Sequence, residues 1–106
     1  MQLASKTHRI LRQFPQEEKY AITQQMWRAA ISIPSNIAEG SQRSSDKEFS
    51  NYILIAKGSL AELETQMLLA QDIGLIQPGS MQELSSLIDE LRKMIFSFHR
   101  TLNASR

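Results

Sequence analysis

The chain has 106 residues, a net charge of +1 and no cysteine. This length fits one domain over residues 1–106, and the lack of cysteine excludes disulfide bonds, thiolate nucleophiles and cysteine-based zinc sites. No apolar run approaches the ~20 residues of a membrane span and the N-terminus lacks the apolar centre of a signal peptide, so we expect a cytoplasmic protein without membrane contact.

Charge is distributed unevenly along the chain. Residues 1–47 carry seven Lys or Arg against four Asp or Glu, residues 48–90 carry one against seven, and residues 91–106 carry four against none. An acidic middle between basic ends permits weak contact with nucleic acid, whereas dedicated nucleic-acid binders are strongly basic.

Helical periodicity runs through the chain, and no β-type alternation competes with it. It predicts helices at about 2–14, 16–40, 46–73 and 80–103. The first helix offers few apolar residues, namely Leu3, Ile10, Leu11 and Phe14. The second has a longer apolar set, namely Ile22, Met26, Trp27, Ala30, Ile33 and Ile37.

The third helix has the strictest pattern. A 4-3-4-3 spacing keeps one stripe toward the core, formed by Phe49, Ile53, Ala56, Leu60, Leu63, Met67 and Ala70. Ser45 and Glu48 predict a capping box before it, and Gly74 predicts a left-handed stop after it.

The fourth helix repeats this design behind a second predicted capping box, Ser80 with Glu83. Its apolar residues are Leu84, Ile88, Leu91, Ile95, Phe98 and Leu102. Four amphipathic helices with short connections predict an all-α, up-down-up-down four-helix bundle.

Pro34 falls inside the second helix. Proline removes a backbone donor and clashes with the carbonyl of Ala30, so we predict a proline kink in helix 2. Ser35 and Asn36 follow at once, and we expect one of them to bond to the backbone or to the third helix.

A polar seam on the second helix has 4-3-4 spacing and is formed by Arg28, Ser32, Ser35 and Glu39. It is either a solvated face or a contact with a neighbouring subunit. Glu62, on an apolar flank of the third helix, is either exposed or paired with a cation, and Arg28 is the first candidate. Gly58, in mid-helix, predicts close approach by another helix.

Nothing in the sequence predicts catalysis or a cofactor. No Glu-x-x-His pair is present, and His8 and His99 each lack a carboxylate or second histidine at helical spacing, so no metal site is expected. No hydroxyl nucleophile has a positioned base, and no glycine-rich phosphate loop occurs.

Basic residues recur along the first helix at Lys6, Arg9 and Arg12. Solvation is the simplest explanation, because no aromatic side chain interleaves with them to stack on bases. The alternative is contact with RNA or DNA phosphates, shared with Arg100 and the basic C-terminus.

Three segments carry a family resemblance: Arg28 to Gly40 (RAAISIPSNIAEG), Lys47 to Phe49, and Gly58 to Thr65. Over about residues 14–76 the chain resembles the 23S ribosomal RNA intervening-sequence proteins. The resemblance implies a four-helix bundle, frequent assembly into a homopentameric ring, and similarity to accessory proteins of diversity-generating retroelements, which pair with a reverse transcriptase and bind nucleic acid. It implies no established biochemical activity. Relative to the family the first helix begins late, and the chain is less basic than the retroelement accessory proteins.

Helix lengths predict a surface for assembly. At 1.5 Å per residue the first predicted helix spans about 20 Å and the third about 42 Å, so one end of the bundle stays uncovered. Apolar residues predicted to gather there are Phe49, Tyr52, Ile55, Phe96 and Phe98. We therefore expect a homo-oligomer, with five subunits from the resemblance, that acts as a non-enzymatic scaffold for a protein partner. The alternative function is direct binding of RNA or DNA.

Overall fold

The computed structural model of the protein describes residues 2–12 and 19–104, and of Lys19 and Tyr20 the backbone alone. Its helices are α1 (Gln2–Leu11), α2 (Lys19–Ser41), α3 (Asp46–Asp72) and α4 (Pro78–Ala104). Each packs against two neighbours in the cyclic order α1, α2, α3, α4, and in the described residues the diagonal pairs make no close backbone contact. Neighbouring helices run antiparallel, which confirms the predicted four-helix bundle.

One apolar core draws on all four helices, and its fully buried large side chains include Met26, Ile33, Leu60, Leu63, Met67, Leu84 and Ile88. The predicted stripe of α3 is buried throughout except at Phe49, which is half-buried. Ile76 and Met81 join the core at the α3–α4 connection. At the far end of α4, Phe98 is 44% exposed, so the predicted stripe of this helix leaves the core there.

The ends of α3 form as predicted. The Ser45 hydroxyl oxygen accepts a hydrogen bond from the Glu48 backbone N–H at 3.2 Å. After Asp72 the chain turns at Gly74, where φ is +83°. The Leu75 N–H donates to the Ala70 carbonyl at 2.8 Å and the Gly74 N–H to the Gln71 carbonyl at 3.0 Å, which completes a Schellman motif.

The fourth helix begins two residues before its predicted start at about residue 80, and the predicted capping box at Ser80 is wrong. α4 begins at Pro78, and the Met81 N–H donates to the Gln77 carbonyl at 2.9 Å. Proline suits the first turn of a helix because its φ is already helical. The backbone N–H that it lacks would have no partner within the helix at that position. Ser80 therefore lies inside the helix and does not cap it.

Three further predictions about helices remain open. The predicted end of helix 1 at residue 14, with Phe14 in the core, and the predicted start of helix 2 at residue 16 lie outside the described residues. α2 continues as helix through Pro34, and the kink itself stays a prediction.

Candidate assembly and nucleic-acid surfaces

A polar cluster joins α2 to α3 at the proline. The Ser32 and Ser59 hydroxyls lie 2.7 Å apart, and Ser59 is buried on α3. The Asn36 side-chain amide donates to the Ser32 carbonyl at 2.8 Å and to the Ser32 hydroxyl at 2.9 Å. The predicted hydrogen bond from Asn36 to the backbone is thus confirmed, whereas Ser35 is exposed.

One turn further, α2 and α3 approach closely at Gly40. A Cβ placed on Gly40 would lie 2.6 Å from the Tyr52 Cβ and 2.9 Å from the Phe49 Cδ1, so only glycine fits without movement of α3. The sequence motif that ends at Gly40 therefore serves helix packing: its polar residues bond at the interface and its glycine admits the facing aromatic residues.

An exposed cluster of Arg43, Glu39 and Tyr52 lies at the end of this interface. The Arg43 guanidinium donates to the Glu39 carboxylate at 2.7 Å and to the Tyr52 hydroxyl at 2.6 Å, and its carbon lies 4.9 Å from the centre of the Tyr52 ring. Interaction with Tyr52, and secondly with Glu39, raises the pKa of the Arg43 guanidinium, which stays charged.

The predicted polar seam does not act as one surface. Ser32 bonds to α3 and Glu39 reaches Tyr52 of α3 at 3.4 Å, whereas Arg28 and Ser35 are exposed. The seam follows the border between two helices of the same chain.

Of the two alternatives for Glu62, exposure is confirmed and pairing with Arg28 is wrong, and no described helix of the same chain makes the predicted close approach to Gly58. Glu62 is exposed and accepts a hydrogen bond from the Gln66 side chain at 3.3 Å, and no ion pair with Arg28 occurs in the described residues. Within the chain no helix approaches Gly58, because an added Cβ would meet nothing within 4 Å. Helical spacing places Glu62 and Gly58 on the outer side of α3, away from α2 and α4.

An apolar groove lies at the end of the bundle that α1 leaves uncovered. α1 begins level with Leu91 and Met94 of α4, which line a small hollow together with Leu3. Beyond that level α2 and α4 border a cavity of about 240 Å³, lined by Ile37, Ile53, Leu91, Met94, Ile95 and Phe98. No charged residue lines it, and Met94 is 65% exposed.

Of the residues predicted to form the oligomer surface, the fold partly buries some and exposes others. Phe49 packs edge to face on Phe98, with ring centres 5.1 Å apart, and Tyr52 covers Gly40, so both are half-buried within the chain. Ile55 and Phe96 are exposed, but neither lines the groove. Met94, which sequence reasoning missed, is its most exposed lining residue; its position one turn before Phe98 is the signal that was available.

The predicted basic residues do not form one patch. Lys6 is paired with Glu83 of α4, and with Arg9 it borders an open cavity of about 630 Å³ between α1 and α4. Arg100 lies seventeen residues beyond Glu83 on α4, which corresponds to about 25 Å at 1.5 Å per residue.

Arg12 has aromatic neighbours that its sequence surroundings do not show. The rings of His8 and Trp27 lie 5.1 Å apart, and these two residues line a cavity of about 420 Å³ together with Arg12 and Thr23. The Thr23 hydroxyl is buried and has no hydrogen-bond partner in the described part of the chain. A cation, two stackable rings and a free hydroxyl are groups that a nucleobase can use.

The fold places both histidines against other side chains. His8 lies against Trp27, and His99 contacts the Asn103 amide. Across residues 2–12 and 19–104, no three His, Asp or Glu side chains are grouped so that they could hold a metal ion. No described helix is long and apolar enough to cross a bilayer.

Comparison with known proteins places these features in a family. The family model for 23S rRNA-intervening sequence protein matches residues 1–97, a wider range than the three segments in the sequence indicate. A solved structure of a protein of unknown function from the S23 ribosomal protein family of Bacteroides thetaiotaomicron has a similar fold, with a TM-score of 0.78 and 22% identity over 92% of this chain and 97% of that chain. No curated protein matches the chain.

Proposed function

The chain belongs to the 23S rRNA-intervening sequence protein family, and we propose that it is a non-enzymatic scaffold that assembles into a homo-oligomer through the uncovered end of its bundle. The apolar groove lined by Ile37, Met94 and Phe98 carries this proposal. Assembly would remove these side chains from water, at about 25 cal/mol per Å² of apolar surface.

The lining of the groove supports a hydrophobic contact with a second copy of the chain. Met94 and Phe98 are 65% and 44% exposed, and the groove is lined only by apolar side chains. Apolar side chains that stay this exposed around a groove are typical of an interface. The expected number of five subunits comes from the family resemblance, since burial alone does not count subunits.

Analytical ultracentrifugation tests this surface. We expect the wild-type chain to sediment with a mass several times 12.1 kDa, and Met94→Lys to reduce that mass because a charge would be buried at the contact. Lys93→Ala, an exposed change on the same turn of α4, is the control and should leave the mass unchanged. A Met94→Lys protein that assembles like the wild type would refute this surface.

Direct binding of RNA or DNA is the second candidate, and the grouping of Arg12 with His8 and Trp27 favours it. Trp27 is the only tryptophan, so its fluorescence reports on this cavity alone. If the cavity binds bases, single-stranded RNA should quench the emission, and affinity should fall steeply with salt through counterion release. Arg12→Gln should weaken binding and Arg100→Gln should not. Unchanged fluorescence at low salt would exclude this function for the cavity.

A further inference from the structure

The outer face of α3 carries a second apolar pattern, on the side opposite the core stripe. Large aliphatic side chains are exposed there at Leu54, Ile55, Leu68, Leu69 and Ile73, and Leu54 is 46% exposed and Leu68 54%. A helix that is apolar on both faces is typical of a buried helix. In a monomer this face would lie in water.

The middle of this face follows a heptad spacing of its own. A 4-3 repeat joins exposed residues that we call the outer seam: Lys47, Asn51, Leu54, Gly58, Ala61, Thr65, Leu68 and Asp72. A 4-3 repeat is the seam along which two helices pack with interlocking side chains. The Thr65 hydroxyl donates to the Ala61 carbonyl at 3.1 Å, so its polar group is satisfied within the helix.

We propose that the outer seam of α3 is a self-association surface, which pairs antiparallel with α3 of a second copy about a two-fold axis. The charges of the seam decide the direction. Lys47 stands at its start and Asp72 at its end, and neither forms an ion pair within the described residues. Antiparallel pairing places each Lys47 opposite an Asp72, whereas parallel pairing places like charges together.

Side-chain sizes agree with the same register. With Lys47 opposite Asp72, the large Leu54 faces the smaller Thr65 of the second copy, and Leu68 faces Asn51. Gly58 then faces Ala61 at the centre, where the two helix axes can approach most closely because an added Cβ at Gly58 has open space around it. Glycine in a helix interior costs about 1 kcal/mol relative to alanine. Close packing of the two helices at Gly58 would explain why glycine stands there.

This contact is separate from the proposed ring surface. The outer seam lies on α3, diagonally opposite α1, whereas the apolar groove lies between α2 and α4. A two-fold contact joins subunits or whole rings in pairs and does not itself close a five-membered ring. Met94→Lys should therefore leave pairing through α3 intact, so the two proposals fail separately.

Disulfide crosslinking tests the register, because the chain has no cysteine of its own. In an equal mixture of Gly58→Cys and Ala61→Cys chains, we expect crosslinks between the two variants in clear excess over crosslinks within either one. Ser86→Cys, exposed on α4, is the matched control and should stay uncrosslinked. Gly58→Cys crosslinking mainly to itself would show parallel pairing, and yields no higher than those of Ser86→Cys would show no pairing; either overturns the proposal.

Charge exchange provides a second readout that leaves the core untouched. Lys47→Glu and Asp72→Lys should each weaken pairing severalfold, because each places like charges at both ends of the seam. A mixture of the two variants should pair about as well as the wild type, since each introduced glutamate then meets an introduced lysine and the remaining native lysine meets the remaining native aspartate. If the mixture of the two variants pairs as weakly as each variant alone, a two-fold antiparallel contact is contradicted.

Discussion

Asn36, within the sequence motif that ends at Gly40, belongs to the hydrogen-bonded cluster between α2 and α3. Its amide satisfies the Ser32 carbonyl and hydroxyl, and the Ser32 hydroxyl in turn meets Ser59 on α3. The sequence predicted the bond to the backbone because Asn follows proline with a short polar side chain. It did not predict Ser59, since helical spacing within α3 carries no information about which turn of α2 lies opposite.

Replacement of Asn36 by alanine should lower the free energy of unfolding by about 1–2 kcal/mol, because two hydrogen bonds are lost at a half-buried site. The neighbouring change Ser35→Ala should stay within about 0.5 kcal/mol, since Ser35 is exposed. Urea unfolding of both variants measures the difference. If Asn36→Ala lowers the free energy of unfolding no more than the small change expected for Ser35→Ala, the cluster adds no stability.

A side chain at Gly40 should destabilise the fold. Gly40→Ala places a Cβ 2.6 Å from the Tyr52 Cβ, and forcing α3 away should cost about 1–3 kcal/mol. Gly79→Ala is the control, because Gly79 lies in the first turn of α4 with open space around it and alanine favours helix. Thermal unfolding should show a lower Tm for Gly40→Ala only; an unchanged Tm would show that the interface relaxes at no cost.

α3 shows how far periodicity predicts an element. Its core stripe could be predicted from the spacing of its apolar residues, its N-cap from Ser45 and its end from Gly74, because all three are local signals. The outer seam was missed because Gly58 and Thr65 interrupt its apolar residues, although the 4-3 spacing was present. For Glu62 the exposed alternative was confirmed and pairing with Arg28 was not, because a helix flank that looks apolar in sequence can face water.

The two faces of α3 should respond differently to truncation in the monomer. Leu63→Ala, at a fully buried position, should lower the free energy of unfolding by about 2–5 kcal/mol. Leu68→Ala, on the outer seam, should change it by less than about 0.5 kcal/mol at concentrations too low for association. At high concentration Leu68→Ala should lose stability relative to the wild type. Equal losses at low concentration would indicate that the outer face is covered within the chain.

At the scale of the whole molecule, the order and direction of the helices followed from their number, amphipathic faces and short connections. The uncovered end also followed from helix lengths, since α1 is much shorter than α3 and α4. Which side chains line that end did not follow, because it depends on helix rotation: Phe49 and Tyr52 pack within the chain, whereas Met94 is exposed. Tertiary packing therefore decides which apolar residues remain for a partner.

Self-association is tested by the mass of the intact protein under native electrospray conditions. Non-covalent assembly predicts a dominant species at an integer multiple of 12.1 kDa, five-fold for a single ring and ten-fold if α3 pairs two rings. Met94→Lys should shift this species to smaller multiples. A wild-type spectrum that shows only the single chain at micromolar concentration would contradict self-association.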